Sequence, residues 1–378
     1  MSQSHRHAPS LAPTRHPATS PRRRVSHRAR VLVPLAGAAL LIGARMGQTA
    51  WGQGGEPVSV ALDWYPNANH AGLFMADARG TFAAAGLGDV TLTTPADPTT
   101  VLQTVAAGRD TLGISYQTDV LLARAQGVPV VSVAAIAGQP LLGVMSLAET
   151  AIGRPADLAG RTVGYPGIPS QEAFLATMLE ADGRELGDVD LVNVGFDLLP
   201  ALFSGRAEAV MGAYWTHETI LADRQGYPNT ILRVEEWGVP PYYELVLVAG
   251  EETLATREED VAGFVVAMVE GYRAAIADPT AALDALAAAS PELDRDVEEE
   301  GLRLLAGVWS GPGEGRGAAF GTQVAARWDA YGAWMVDRGL IPADLDIAAA
   351  WTGRFVPLPA ATPAASPASG TPATPPTG

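Results

Sequence analysis

Short apolar runs alternate with helical patterns along this chain, and the alternation occurs twice. Val58–Leu62, Val90–Thr93, Thr111–Ser115 and Val128–Ile136 read as strands. Between them, His70–Ala84, Thr99–Ala107 and Thr118–Gln126 read as helices, the first ending near Gly86 and the second stopped by Gly108. Parallel strands need a crossover connection, and a helix is the usual one, so this order predicts a mostly parallel sheet covered by helices. The rhythm restarts after Gly153, with strands at Arg161–Gly164, Asp190–Val194 and Ala209–Ala213 and helices from Ser170 and around Leu198–Ser204. Tyr243–Ala249 reads as a strand returning to the first lobe, and the alanine-rich stretch Glu259–Trp351 as helices packed on that lobe.

The expected architecture is therefore α/β with two lobes. Residues 56–145 plus 244–355 form the first, residues 146–243 the second, and a cleft lies between them. Clefts at such junctions are where small ligands sit.

The two ends read differently. Arg22, Arg23 and Arg24 open a basic region, and an apolar run of about 13 residues follows from Val31, too short to span a bilayer comfortably. Gln48-Thr49-Ala50 ends in the small residue that a signal peptidase prefers, so residues 1–50 are expected to be a signal peptide. The paired arginines permit a twin-arginine route as well as the general one. The product would be periplasmic or otherwise extracytoplasmic, or tethered by an uncleaved signal. Residues 357–378 are Pro, Ala, Thr, Ser and Gly apart from one Leu, a composition expected to be disordered.

Charge and residue types exclude several functions. The first 50 residues carry eight arginines and no acid, which leaves 17 basic against 41 acidic residues in the remainder. So acidic a body repels phosphate backbones, and no nucleic-acid partner is expected. The chain contains no lysine, which removes Schiff-base chemistry, and no cysteine, which removes disulfides, thiolate sites and a lipid anchor. No cofactor or metal is expected. Nucleophile-elbow, zinc-helix and P-loop motifs are absent, so Asp63, His70 and Glu218 are the available acid–base set for a hydrolase or lyase.

Unusual residues gather where strands give way to helices. In an open parallel sheet this is the ligand edge. Asp63-Trp64-Tyr65-Pro66-Asn67-Ala68-Asn69-His70 follows the first strand; Trp64 and Tyr65 offer flat faces, and Asn67, Asn69 and His70 offer hydrogen bonds. Asn69 can equally cap the helix, and His70 can equally be a satisfied helix-start histidine. Ser115, Tyr116 and Gln117 repeat the arrangement after another strand. In the second lobe the matching turn holds Tyr165, Ser170 and Glu172, where the acid favours a neutral or cationic ligand over an anion. Tyr214 and Trp215 pair flat rings again, with Glu218 one turn on, and Tyr243 stands at the crossover. A carboxylate at position 218 can accept two N–H bonds from an amino-heteroaromatic edge. A ring between aromatic faces gains about 0.5–1.5 kcal/mol per good contact beyond area burial. A flat, neutral or weakly basic heterocycle is the expected ligand.

At these residues the chain resembles the thiamine-precursor-binding branch of the periplasmic solute-binding proteins. That branch carries an Asp-Trp-x-Pro-Asn-x-Asn-His segment, here Asp63–His70, and a Gly-Ile-Ser-Tyr-Gln segment, here Gly113–Gln117. The similarity runs from about Val58 to Leu293. It implies a type II periplasmic-binding fold, capture of a formylaminopyrimidine, and delivery by a monomer to an ABC permease in the membrane. It also implies an aromatic sandwich plus a carboxylate, falling on Trp64, Tyr214 or Trp215, and Glu218. The turn Gly164–Ser170 departs from the family pattern, which leaves riboflavin or another flat heterocycle as alternatives. A related branch of pyrimidine synthases uses a PLP-bound lysine, a histidine and a cysteine cluster. His70 matches the histidine, but this chain has neither lysine nor cysteine.

Overall fold

The computed structural model describes residues 55–310 and 320–357. The expected signal peptide and almost all of the expected tail lie outside the described residues.

The expected α/β architecture is present as two five-stranded sheets. The first contains β1 (Val58–Ala61), β2 (Val90–Thr93), β3 (Leu112–Ser115), β4 (Val130–Ala137) and β10 (Leu245–Gly250), in the order β2-β1-β3-β10-β4. The second contains β5 (Leu142–Leu147), β6 (Thr162–Tyr165), β7 (Asp190–Asn193), β8 (Ala209–Tyr214) and β9 (Asn229–Arg233), in the order β7-β6-β8-β5-β9. β1 pairs parallel with β2 and β3, and β6 parallel with β7 and β8. One antiparallel strand interrupts each sheet. β10 lies between β3 and β4, and β5 lies between β8 and β9.

These two strands are exchanged crossings. β5 pairs with β8 and β9, so the chain leaves the first sheet before Leu142 rather than near residue 145. It returns at β10. Four strands of the first sheet thus belong to one contiguous stretch, and the fifth arrives about a hundred residues later.

The helices that follow strands cover the sheets. They are α1 (Ala71–Ala78), α2 (Thr81–Ala84), α3 (Val101–Ala106), α4 (Gln117–Ala125), α5 (Pro169–Ala181), α6 (Leu198–Phe203) and α7 (Glu218–Arg224). The stretch after β10 holds α8 (Glu251–Thr256), α9 (Glu258–Ala277), α10 (Pro279–Ala289), α11 (Arg295–Ser310) and α12 (Ala325–Asp337). α1 and α9 cross with their backbones in contact: a Cβ on Gly271 would lie 2.2 Å from the Gly72 carbonyl oxygen, so only glycine fits there.

The late helices do not confine themselves to the first sheet, as the sequence suggests. α11 packs on α7, and Trp334 and Arg338 around the end of α12 meet Phe174 and Glu180 on α5. The reason lies in their apolar faces, since Trp328, Tyr331 and Met335 join a buried cluster that also takes in Val246 and Val248 of the first sheet and Val163 and Met211 of the second. A row of large side chains therefore continues from one sheet to the other. Separate clusters fill the far face of each sheet, one around Val60, Ile114 and Phe264, the other around Met145, Val210 and Leu202.

Candidate functional site

The loop after β1 is built from its own side chains. Asn67 caps a short 3-10 turn over Ala68–His70 with its Oδ1, which accepts from the Asn69 amide at 2.9 Å. The Asn69 side chain donates to the same oxygen at 2.9 Å. His70 Nδ1 accepts the Asn67 amide at 3.2 Å, which places the ring proton on Nε2, 2.9 Å from Asp63 Oδ1. The other Asp63 oxygen accepts from the Tyr116 hydroxyl at 3.1 Å. All of these side chains are buried. A buried polar group left unpaired costs roughly 1–3 kcal/mol, and of the buried side-chain groups in this loop Asn69 Oδ1 lacks a partner while the others are paired within the loop or by Tyr116. The result is a rigid shelf on which half-buried Trp64 stands.

The opposing edge comes from the second sheet. β8 ends at Tyr214, and Glu218 opens α7. Its Oε2 accepts the Tyr214 amide at 2.8 Å, so one carboxylate oxygen is committed and the group is held in place. Gly212 has φ +107°, and a Cβ there would sit 2.5 Å from Gln171 Oε1, so glycine is what lets that amide approach β8. Gln171 Oε1 and His217 Nδ1 are buried without a hydrogen-bond partner among the described residues.

The two edges face each other across a narrow cleft with a cavity volume of about 20 Å³. Asp63, Trp64, Asn67 and Tyr116 line it from the first half, and Ile168, Gln171, Gly212, Tyr214, His217 and Glu218 from the second. That volume is far below the roughly 300–1,000 Å³ of small-molecule sites, so the cleft is nearly closed in this structure. The lining holds two carboxylates and no arginine, an environment that disfavours an anion. Trp64 also touches the far half, its ring 4.5 Å from that of Phe196 at 63°. No group of three or more His, Asp or Glu side chains placed to hold a metal ion occurs among the described residues.

Of the residues singled out in the sequence, Asp63, Trp64, Asn67, Tyr116, Tyr214 and Glu218 line this cleft. The others lie around it. Tyr65 is 53% exposed and turns outward against Phe196. Asn69 and His70 are spent inside the shelf. Ser115 lines a neighbouring pocket behind Tyr116. Gln117 Oε1 accepts the Tyr243 amide at 2.8 Å, and the Tyr243 hydroxyl accepts from the Val324 amide at 2.9 Å, so both tie the crossover together. Ser170 donates to Asp119 at 2.6 Å, a bond between the two halves. Glu172 is exposed and accepts from the Tyr165 hydroxyl at 3.2 Å, outside the cleft, so it sets no charge preference there. Trp215 donates to the Pro140 carbonyl at 3.3 Å and lies under Arg233.

Ile168, Gln171, Gly212 and His217 carry no strong signal of their own in the sequence. Each sits beside a residue that does, within the same strand-to-helix turns. Glu298 on α11 is invisible to local reading. It is buried, its Oε2 accepts the Ala68 amide at 2.6 Å, and its Oε1 lies 3.6 Å from His217 Nδ1.

The chain is 42% identical over 284 residues to a formylaminopyrimidine-binding protein of Halalkalibacterium halodurans, covering 74% of this chain and 84% of that one. It is 33% identical over 236 residues to a putative thiamine biosynthesis protein of Haemophilus influenzae, covering 62% and 74%. Its fold matches the alkanesulfonate-binding protein SsuA from Xanthomonas axonopodis pv. citri, solved bound to MOPS, with TM-score 0.63 at 15% identity over 79% of this chain and 99% of that one. The fold is that of the periplasmic binding proteins. With the NMT1/THI5-like model matching residues 67–282, the chain belongs to the NMT1/THI5-like family.

Proposed function

We propose that this protein is the binding component of an ABC importer and that its cleft takes a thiamine pyrimidine precursor of the formylaminopyrimidine type. The observation that carries the reading is the meeting of Trp64 with Tyr214 and Glu218 in one cleft whose lining has no arginine. The rings offer faces to a flat heterocycle, and Glu218 offers an acceptor for its amino edge. The 42% identical relative supports the ligand class. The basic and apolar start of the chain supports export, and the family supports a membrane permease as partner.

The shelf argues against turnover. Both His70 nitrogens are engaged, one by Asp63 and one by the Asn67 amide, so neither is left to move a proton on a ligand. Asp63 is likewise engaged at both oxygens.

Isothermal titration of the mature protein with the formylaminopyrimidine tests the proposal. One site of micromolar or tighter affinity is expected, near about −8 kcal/mol. No heat with this ligand, together with saturable binding of riboflavin or an alkanesulfonate, would replace the reading.

A further inference from the structure

Glu244 stands where the chain re-enters the first sheet, one residue before β10, and only 1% of its surface is exposed. A carboxylate so placed needs donors, and it has four. Its Oε2 accepts the amides of Leu141 at 2.7 Å and Leu142 at 3.4 Å. The Tyr242 hydroxyl donates to the same oxygen at 2.7 Å. Its Oε1 accepts the hydroxyl of Tyr214 at 3.3 Å. Among the described residues it has no ion-pair partner.

The partners are informative. Leu141 and Leu142 lie at the outgoing crossing, Tyr242 and Glu244 at the returning one, and Tyr214 in the cleft. One carboxyl group thus joins both connections between the halves to a ring that faces the ligand space. An apolar residue would fill this volume without the desolvation cost, so a structural filler is a poor account of an acid here.

We propose that Glu244 is a positioning residue: it fixes the Tyr214 ring against the ligand and ties that ring to the crossing strands. The proposal rests on the reading that the cleft binds the pyrimidine.

Burial raises the Glu244 carboxyl to about 7, the four donors opposing that rise. It therefore changes charge within an accessible range. The ionised form accepts the Tyr214 hydroxyl more strongly than the neutral acid does, since charged hydrogen bonds are the stronger ones. Ligand affinity should accordingly fall as pH drops from about 8 to about 6. The phenols facing this group are Tyr116, Tyr214, Tyr242 and Tyr331, all held well above 10 chiefly by burial, and they do not titrate in that window. The other acids nearby are Asp63, Asp119 and Glu235, which share coupling to those phenols.

The test is a double-mutant cycle by calorimetry with the formylaminopyrimidine, using Glu244→Gln, Tyr214→Phe and the double variant. Wild-type binding is measured first; if it is absent, the reading of the cleft fails and Glu244 is not at issue. With wild-type binding in hand, each single change should weaken affinity about tenfold, and the double variant no more than the worse single, because coupled residues are not additive. Losses that multiply overturn the proposal. Should Glu244→Gln not fold, the pH profile decides. Wild-type affinity should vary severalfold between pH 6 and 8, and Tyr214→Phe should lose that component while retaining any titration of the ligand or Asp119. A profile unchanged in Tyr214→Phe overturns it.

Discussion

The two edges of the cleft are built on opposite plans. The first, from Asp63 to His70 with Tyr116, pairs its polar groups among themselves apart from Asn69 Oδ1, which faces no partner, and the Ala68 amide, which Glu298 accepts. The second, from Gln171, Gly212, His217 and Glu218, leaves the Gln171 oxygen and one His217 nitrogen without hydrogen bonds. Buried polar atoms are normally paired, so the Gln171 oxygen in the cleft lining marks where an incoming molecule finds a partner, whereas the unpaired His217 nitrogen faces Glu298. The first edge thus supplies shape and a stacking face, and the second supplies most of the discrimination. Rigid and unsatisfied surfaces occur together because each does what the other cannot.

This division can be broken experimentally. The largest effect belongs to the first edge. His70→Ala leaves an Asp63 oxygen and the Asn67 amide buried without their partner, and each unsatisfied buried polar group costs about 1–3 kcal/mol. Urea denaturation should show that loss in stability; unchanged stability with lost binding would mean that His70 reads the ligand, and the contrast would fail.

The seam between the edges should respond next. Asp119 is raised to about 6 by burial, against its bond from Ser170, and Glu244 to about 7. Each pKa lies above the unfolded value, so the folded form holds the extra proton and its contribution to stability is complete at low pH. That contribution is lost as pH rises from about 4 through about 7, each tenfold difference in proton affinity between folded and unfolded chain being worth roughly 1.4 kcal/mol. Melting temperature should fall between pH 5 and 8, and Asp119→Asn should flatten the slope. A melting curve that rises over this range would contradict the burial of these acids.

The smallest effect on the fold, and the sharpest on function, belongs to the second edge. Glu218→Gln keeps the volume and one acceptor but removes the charge. A charge-assisted hydrogen bond contributes about 1.5–3 kcal/mol, so affinity should drop roughly 10- to 100-fold with the melting temperature almost unchanged. A comparable loss of stability would make Glu218 part of a shelf like the first.

Much of this is legible in the sequence, and the reason is local. Strand-to-helix turns carry their own signals, so the segments around Trp64 and Tyr116, and those around Tyr214 and Glu218, can each be placed at the ligand edge of their own sheet from the order of residues alone. What the sequence hides is long range. β5 and β9 are short runs that resemble loops, and they become strands through pairing with β8 and with each other. Gln171 lines the cleft because Gly212 on a distant strand leaves room for it, which no periodicity reveals. Glu298 reaches Ala68 across 230 positions. Glu172 and Tyr165 are attractive by composition, but the end of β6 and the first turn of α5 pair them with each other outside the cleft.

The row of large side chains that runs from one sheet to the other carries a consequence for how the molecule comes apart. Phe174, Tyr242, Trp328 and Tyr331 belong to one cluster that serves both sheets. Heat would therefore not peel one sheet away while the other survives, because the exposed face of the survivor would be the shared one. The molecule should melt in a single cooperative step, and a fragment cut to contain the second sheet alone would expose half a core and be prone to aggregate.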